Sequence, residues 1–135
     1  MKNEVIEDIL RIYSESKEEK NKQKKHSKIQ REICKLAKKY GFVGEIEFGC
    51  NYIPKGKDEE RNGKIDVVWK YKGKVIIAIE IDSSPRSKSV LKLCNLNCER
   101  IWLYYGKDKD KFILTTNNFD EKKEIIYITP ELDIF

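Results

Sequence analysis

The chain predicts an α/β fold, a central mixed sheet flanked by helices with an extra helix at the N-terminus. Three observations predict it. Helix-spaced apolar stripes open the chain; two strand-like runs, KIDVVWKY and KVIIAIEID, meet around Gly73; a helix-like segment then separates them from a further apolar run, RIWLYY. Strands alternating with helices in this way build a sheet with helices packed on its faces.

Residues 3 to 14 place Val5, Ile6, Ile9, Leu10 and Tyr13 at helical spacing, and the polar stretch SESKEEKNKQKKHSK after them reads as a solvated helix extension or a linker. A second amphipathic helix carries Ile29, Ile33, Leu36, Ala37 and Tyr40, with Gly41 placed to end it. The expected division is therefore residues 1–25, an N-terminal helix and charged linker, and residues 26–135, the α/β domain. Phe42 to Phe48 suggests a short strand, and NYIPKGKDEERNG a long, charged connection. Beyond the central hairpin, SSPRSKSVLKLCNL reads as a helix with Ser84 as N-cap and Pro85 at its first position, where a missing N–H costs nothing. RIWLYY is expected as a buried strand, KFILTT and EIIYIT as edge strands.

A chain of 135 residues is the size of one domain, and 28 Lys and Arg against 23 Asp and Glu leave a net charge of +5, a modest excess that suits a polyanion without specifying one. No apolar stretch has the length of a membrane span, and MKNEVIEDIL lacks the layout of a signal peptide, so a cytoplasmic protein without a membrane partner is expected. Its four cysteines fit no CxxC pattern and are expected as reduced, mostly buried thiols. Cys94 and Cys98 could share a helix face and hold zinc, but no His lies near them in sequence.

The chemistry concentrates in the hairpin. Side chains alternate along a strand, so Glu80 and Asp82 share one face while Val75, Ile77, Ile79 and Ile81 take the other. Whether Asp66 joins the two acids depends on the turn: a two-residue loop puts Asp66 and Glu80 on opposite faces, and a three-residue loop brings them together. A loop of Tyr71, Lys72 and Gly73, with Gly73 left-handed, suits the sequence. Three crowded carboxylates beside VIIAI repel one another in a poorly solvating place, a conflict that a divalent cation resolves. Oxygen ligands favour Mg²⁺ over zinc. The bland alternative is an edge position, with Asp82 in water and Glu80 paired to a Lys or Arg.

Phosphate is suggested by the start of the helix after Asp82, where free N–H groups near Ser84 are followed by Arg86, Lys88 and Lys92. Lys88 and Lys92 lie one turn apart on one face. Lys24, Lys25 and Lys28, in the basic run from Lys17 to Lys28, add sequence-independent attraction for a nucleic-acid backbone.

From about His26 to Tyr105 the chain resembles the PD-(D/E)XK nuclease superfamily, whose restriction-endonuclease-like core runs αβββαβ with acids on its second and third strands. Asp66 in GKIDVVW stands where the family has an Asp, and Glu80 in IAIEID stands at the Glu of E-x-K. The resemblance implies metal ligation by Asp66, Glu80 and the backbone carbonyl of Ile81, and a helix residue near the site, Gln30 or the adjacent Glu32. Ile65 replaces the family's Pro. Asp82 stands where the family has Lys, so the positive charge must come from elsewhere; some members move that Lys to the following helix, where Lys88 or Lys92 could reach back, with Lys88 expected on reach.

The expected function is thus a Mg²⁺-dependent nuclease, with Mn²⁺ as a substitute, acting on nucleic acid, DNA before RNA. Asp66, Glu80 and Asp82 would hold the metal, and Lys88 or Lys92 would assist. A homodimer is implied by resemblance alone. The competing expectation is a nuclease-like nucleic-acid-binding or assembly module that has lost its chemistry, supported by the missing E-x-K lysine; a structural protein unrelated to nucleases leaves the acid cluster without a cause.

Overall fold

A computed structural model describes residues 2–54 and 56–132. In chain order they form α1 (Lys2–Ser16), α2 (Lys22–Leu36) with a 3-10 turn (Ala37–Tyr40), β1 (Val43–Tyr52), β2 (Arg61–Tyr71), β3 (Lys74–Asp82), α3 (Ser87–Cys94), β4 (Glu99–Tyr104), α4 (Lys109–Phe119) and β5 (Ile125–Ile128). The five strands lie in sequence order in one mixed sheet. β1, β2 and β3 form an antiparallel meander, and β4 and β5 continue it in parallel.

Two cores sandwich the sheet. On one face Val5, Ile9, Ile12 and Tyr13 of α1 and Ile29, Ile33 and Leu36 of α2 pack against Val67, Trp69, Ile77, Ile79, Ile81 and Leu103. On the other, Val90 and Leu93 of α3 and Phe112 of α4 pack against Ile65, Val68, Ala78, Trp102 and Tyr104. α1 therefore belongs to the same core as the sheet, and the division expected at residue 25 falls inside α2. That helix starts within the polar stretch because Asn21 caps it, its side chain accepting from the Lys24 N–H at 3.0 Å. Gly41, left-handed at φ 82°, ends the following 3-10 turn as expected. No helix among the described residues is long and apolar enough to cross a membrane.

Three local expectations are corrected. KFILTT lies in α4, not in an edge strand: Asp108 caps the helix by accepting from the Lys111 N–H, and Phe112 and Thr115 share its buried face. Parallel β4 and β5 need such a crossover, which a tight hairpin cannot supply. α3 starts at Ser87, with Arg86 rather than Ser84 at its N-cap and no side-chain cap bond. Pro85 precedes the helix, buried, its carbonyl accepting from the Thr115 hydroxyl of α4 at 3.3 Å.

The third correction concerns the hairpin. Tyr71 pairs with Lys74, so the loop is the two residues Lys72 (φ 49°) and Gly73 (φ 80°), both left-handed. A β-bulge then shifts the register: Lys70 pairs with Val75 but Trp69 with Ile77, leaving Ile76 as the extra residue. Val75 consequently packs on the α3 side while Ile77 packs on the α1–α2 side. The bulge, not the loop, brings Asp66 level with Glu80.

Candidate active site

Regular pairing between β2 and β3 runs to Val67 and Ile79. One residue further, side chains take over the ladder: the Asp66 N–H donates to Glu80 Oε1 at 2.8 Å, and the Ile81 N–H donates to Asp66 Oδ2 at 2.8 Å. The two strands are thus splayed, with a carboxylate from each placed in the opening. On the far side of β2, Glu47 of β1 sits at φ 53°, and Gln30 of α2 bridges the gap, donating to Glu47 Oε1 at 3.1 Å and to the Asp66 carbonyl at 2.9 Å. Gln30 holds the backbone that carries Asp66. Its neighbour Glu32 pairs with Lys35 instead, 3.6 Å away.

Lys92 comes from the second turn of α3 and is 8 % exposed. Its ammonium lies 2.8 Å from Glu80 Oε2 and donates to the Lys64 carbonyl at 2.7 Å. Gly63 makes room for that stem: a Cβ there would meet Lys92 Cδ at 2.9 Å and the Tyr52 ring at 3.2 Å. Lys88, one turn earlier, is exposed and lies 5.7 Å over the Tyr52 ring. The first-turn lysine is nearer the helix start, yet the second-turn lysine faces the acid, because Lys92 lies on the buried face of α3, with Ser89 and Leu93, against the backbone of β2 at Lys64.

Glu80 is 1 % exposed, and burial together with repulsion from Asp66 pushes its carboxyl well above the usual carboxylate range, against the pull of Lys92. Burial opposes the Lys92 ammonium, and the acids facing it, Glu80 first and then Asp66 and Asp82, together more than offset that, so Lys92 holds its proton more firmly than an ordinary lysine. Burial also raises Asp82. Asp82 lines the same cavity, but its Oδ2 accepts from the Ser89 hydroxyl at 2.5 Å and the Trp102 Nε1–H at 2.9 Å.

His26, the chain's one histidine, also belongs to the site and carries no motif that marks it in the sequence. Its Nε2 lies 3.1 Å from the Ile81 carbonyl oxygen and 3.5 Å from Asp66 Oδ1, and hydrogen bonding to Asp66 raises its pKa. The spacing His26–Gln30 is i,i+4, which puts both on one helix face; that was the available signal. Glu47 had none, since a left-handed Glu inside a strand is invisible in sequence.

These groups line a cavity of about 610 Å³ between the N-terminal ends of α2 and α3, with Lys22, Arg86, Lys88 and Tyr105 at its walls. Ser83, not Ser84, lines it. Lys24 and Lys28 line a neighbouring depression along α2, and Lys25 turns away to lie 5.9 and 5.6 Å over the rings of Tyr13 and Tyr105.

No family model, curated protein or solved structure matches the chain.

Among the described residues no three His, Cys, Asp or Glu side chains are gathered as a ready cation cage, for zinc at Cys94 and Cys98 or elsewhere. The donor set around the splay nevertheless fits a hard divalent ion. Asp66 Oδ1 and the Ile81 carbonyl converge on one point, where His26 Nε2 now sits, and Glu80 is adjacent. Mg²⁺ takes one or two carboxylates and completes its shell with waters and substrate oxygens, so a three-side-chain cage is not required.

Proposed function

We propose that this protein is a metal-dependent nuclease that hydrolyses phosphodiester bonds of nucleic acid, with DNA as its first substrate. The reading is supported by the element order α2–β1–β2–β3–α3–β4, which fits a restriction-endonuclease-like αβββαβ core. The observation that carries it is the splay itself: Asp66 and Glu80, on adjacent strands, meet in an opening of the ladder with the Lys92 ammonium 2.8 Å from Glu80.

Asp66, Glu80 and the Ile81 carbonyl would hold Mg²⁺, or Mn²⁺ in its place. When bound, the ion would acidify a water and neutralise charge on the scissile phosphate. Lys92, kept charged by the group of acids around it, Glu80, Asp66 and Asp82, provides the cation missing from the Asp82 position, placed to stabilise negative charge developing beside them. Arg86 and Lys88, exposed at the cavity wall, position the backbone phosphates, and Gln30 fixes the Asp66 backbone.

A second reading, a nucleic-acid-binding module of the same fold without chemistry, rests on a different observation. Both Glu80 oxygens already have donors, the Asp66 N–H and Lys92. One experiment separates the two. End-labelled DNA is incubated with the protein in Mg²⁺ or EDTA, beside Asp66→Asn. Cleavage that needs Mg²⁺ and is lost in the variant supports the nuclease; retained binding without cleavage in Mg²⁺ or Mn²⁺ supports the module.

A further inference from the structure

The acid centre sits in the middle of a trough, not at the bottom of a closed pit. Where the central cavity meets α2, at Gln23 and Ser27, it runs into a second depression of about 520 Å³ that is also lined by Lys24, Lys28 and Arg31. At Asp66, Lys88 and Lys92 it runs into a third, of about 410 Å³, lined by Asn62, Gly63 and Lys64 at the start of β2. The second and third depressions share no lining residue. One follows α2, which covers one face of the sheet, and the other lies against α3, which covers the opposite face.

We propose that a continuous nucleic-acid strand runs through this trough, entering along α2 and leaving between β2 and α3, so that the bond presented to Asp66 and Glu80 is an internal one. The inference rests on the nuclease reading for the cleavage, and on the trough alone for the path of the strand.

Cations outnumber acids on both arms, although Glu19 lies on the first and Glu47, beside Asp66, on the second. Lys24, Lys28 and Arg31 follow one another at i, i+4 and i+7, a row about 10 Å long on one helix face. Lys64 and Lys88 stand on the other arm. A site built for a strand terminus needs cations on one side of the acids and a wall on the other. Here the far side carries the third depression, lined by Asn62, Gly63 and Lys64, in place of a wall.

The test compares covalently closed DNA circles, single-stranded and duplex, with linear molecules of the same sequence. In Mg²⁺ the circles should be opened at initial rates within about threefold of internal cutting in the linear forms, as expected when no terminus is recognised. Linear molecules trimmed from their ends while circles survive would overturn the inference. Binding in EDTA provides an arm independent of chemistry: circle and linear form should bind equally. The triple change Lys24→Ala, Lys28→Ala, Arg31→Ala on one arm and Lys64→Ala on the other should each weaken binding about threefold or more. If nothing is cut but both arms matter and circles bind as well as linear DNA, the nuclease reading fails and the trough stands. If circles bind about tenfold more weakly, or only one arm matters, the trough is wrong whatever the cleavage result.

Discussion

Lys92 reaches Glu80 from one turn deeper in α3 than Lys88, its ammonium 2.8 Å from Glu80 Oε2 in a place where both side chains are almost fully buried. The two lysines, equivalent by spacing, are therefore separated by what lies under the helix. Lys92→Ala should lower turnover about a hundredfold or more, as for a group acting on transition-state charge, and Lys88→Ala only a few-fold. Urea unfolding should show Lys92→Ala destabilised by about 2–3 kcal/mol, the cost of leaving a buried acid without its partner, tempered because Glu80 can take up a proton. Equal turnover for the two variants would remove Lys92 from the mechanism.

Asp66 has two tasks, and two substitutions separate them. Crowding alone suggests that removing an anion relieves repulsion, but Asp66 Oδ2 accepts from the buried Ile81 N–H. Asp66→Ala should therefore cost about 1–2 kcal/mol by orphaning that donor, while Asp66→Asn, which can keep an acceptor there, should stay close to the parent stability. Both should lose Mg²⁺-dependent cleavage. Thermal melts and a cleavage assay on the pair check this, and an active Asp66→Asn protein would exclude the carboxylate from metal binding.

Much of the fold was legible because its signals are local. Alternation and apolar runs located β2, β3 and β4, and the stripe from Ile29 to Tyr40 located the second helix. The side chains of Asp66 and Glu80 were legible as a pair, but for the wrong reason: a three-residue loop was expected, whereas the two-residue turn at Lys72–Gly73 is corrected by the bulge at Ile76. A bulge is set by how a strand fits its neighbours and leaves no mark on hydrophobic periodicity. Asp82 read as a third member of the cluster, and only the packing of Ser89 and Trp102 around it shows where its Oδ2 goes. α4 was misread because Ile113, Thr115 and Thr116 have strand propensity, which the Asp108 cap and the need for a crossover override.

Acid stability should depend on Asp8, which ties α1 to the 3-10 turn that follows α2. Lys39 and the Tyr40 hydroxyl donate to one of its oxygens and Arg11 to the other. The hydrogen bond from Lys39, followed by that from Tyr40, lowers its pKa from 3.8 to about 2. A carboxyl depressed in the folded state contributes stability that is complete above its unfolded value and is lost as pH falls through the folded one. Urea midpoints measured from about pH 5 down to pH 2 should therefore fall for the parent protein and fall less for Asp8→Asn, which starts lower at pH 5. Parallel curves would show that Asp8 does not set the acid limb.

Nucleic-acid affinity should fall steeply with salt. Replacing Lys24 by Ala should make the slope of log affinity against log salt shallower by about one unit, while Lys25→Ala, whose ammonium lies over Tyr13 and Tyr105, should change it less. Fluorescence anisotropy between about 50 and 200 mM salt measures both slopes. A slope near zero for the parent protein would take nucleic acid off the list of partners.

The most direct test of the nuclease reading is a crystal structure of the protein soaked in Mn²⁺, located by its anomalous scattering. One Mn²⁺ is expected against the carboxylates of Asp66 and Glu80 and the Ile81 carbonyl, with His26 Nε2 moved off that carbonyl and Lys92 still beside Glu80. Crystals in which His26 remains on the Ile81 carbonyl and no Mn²⁺ lies between Asp66 and Glu80, at concentrations that support cleavage by known Mn²⁺-dependent nucleases, would contradict it.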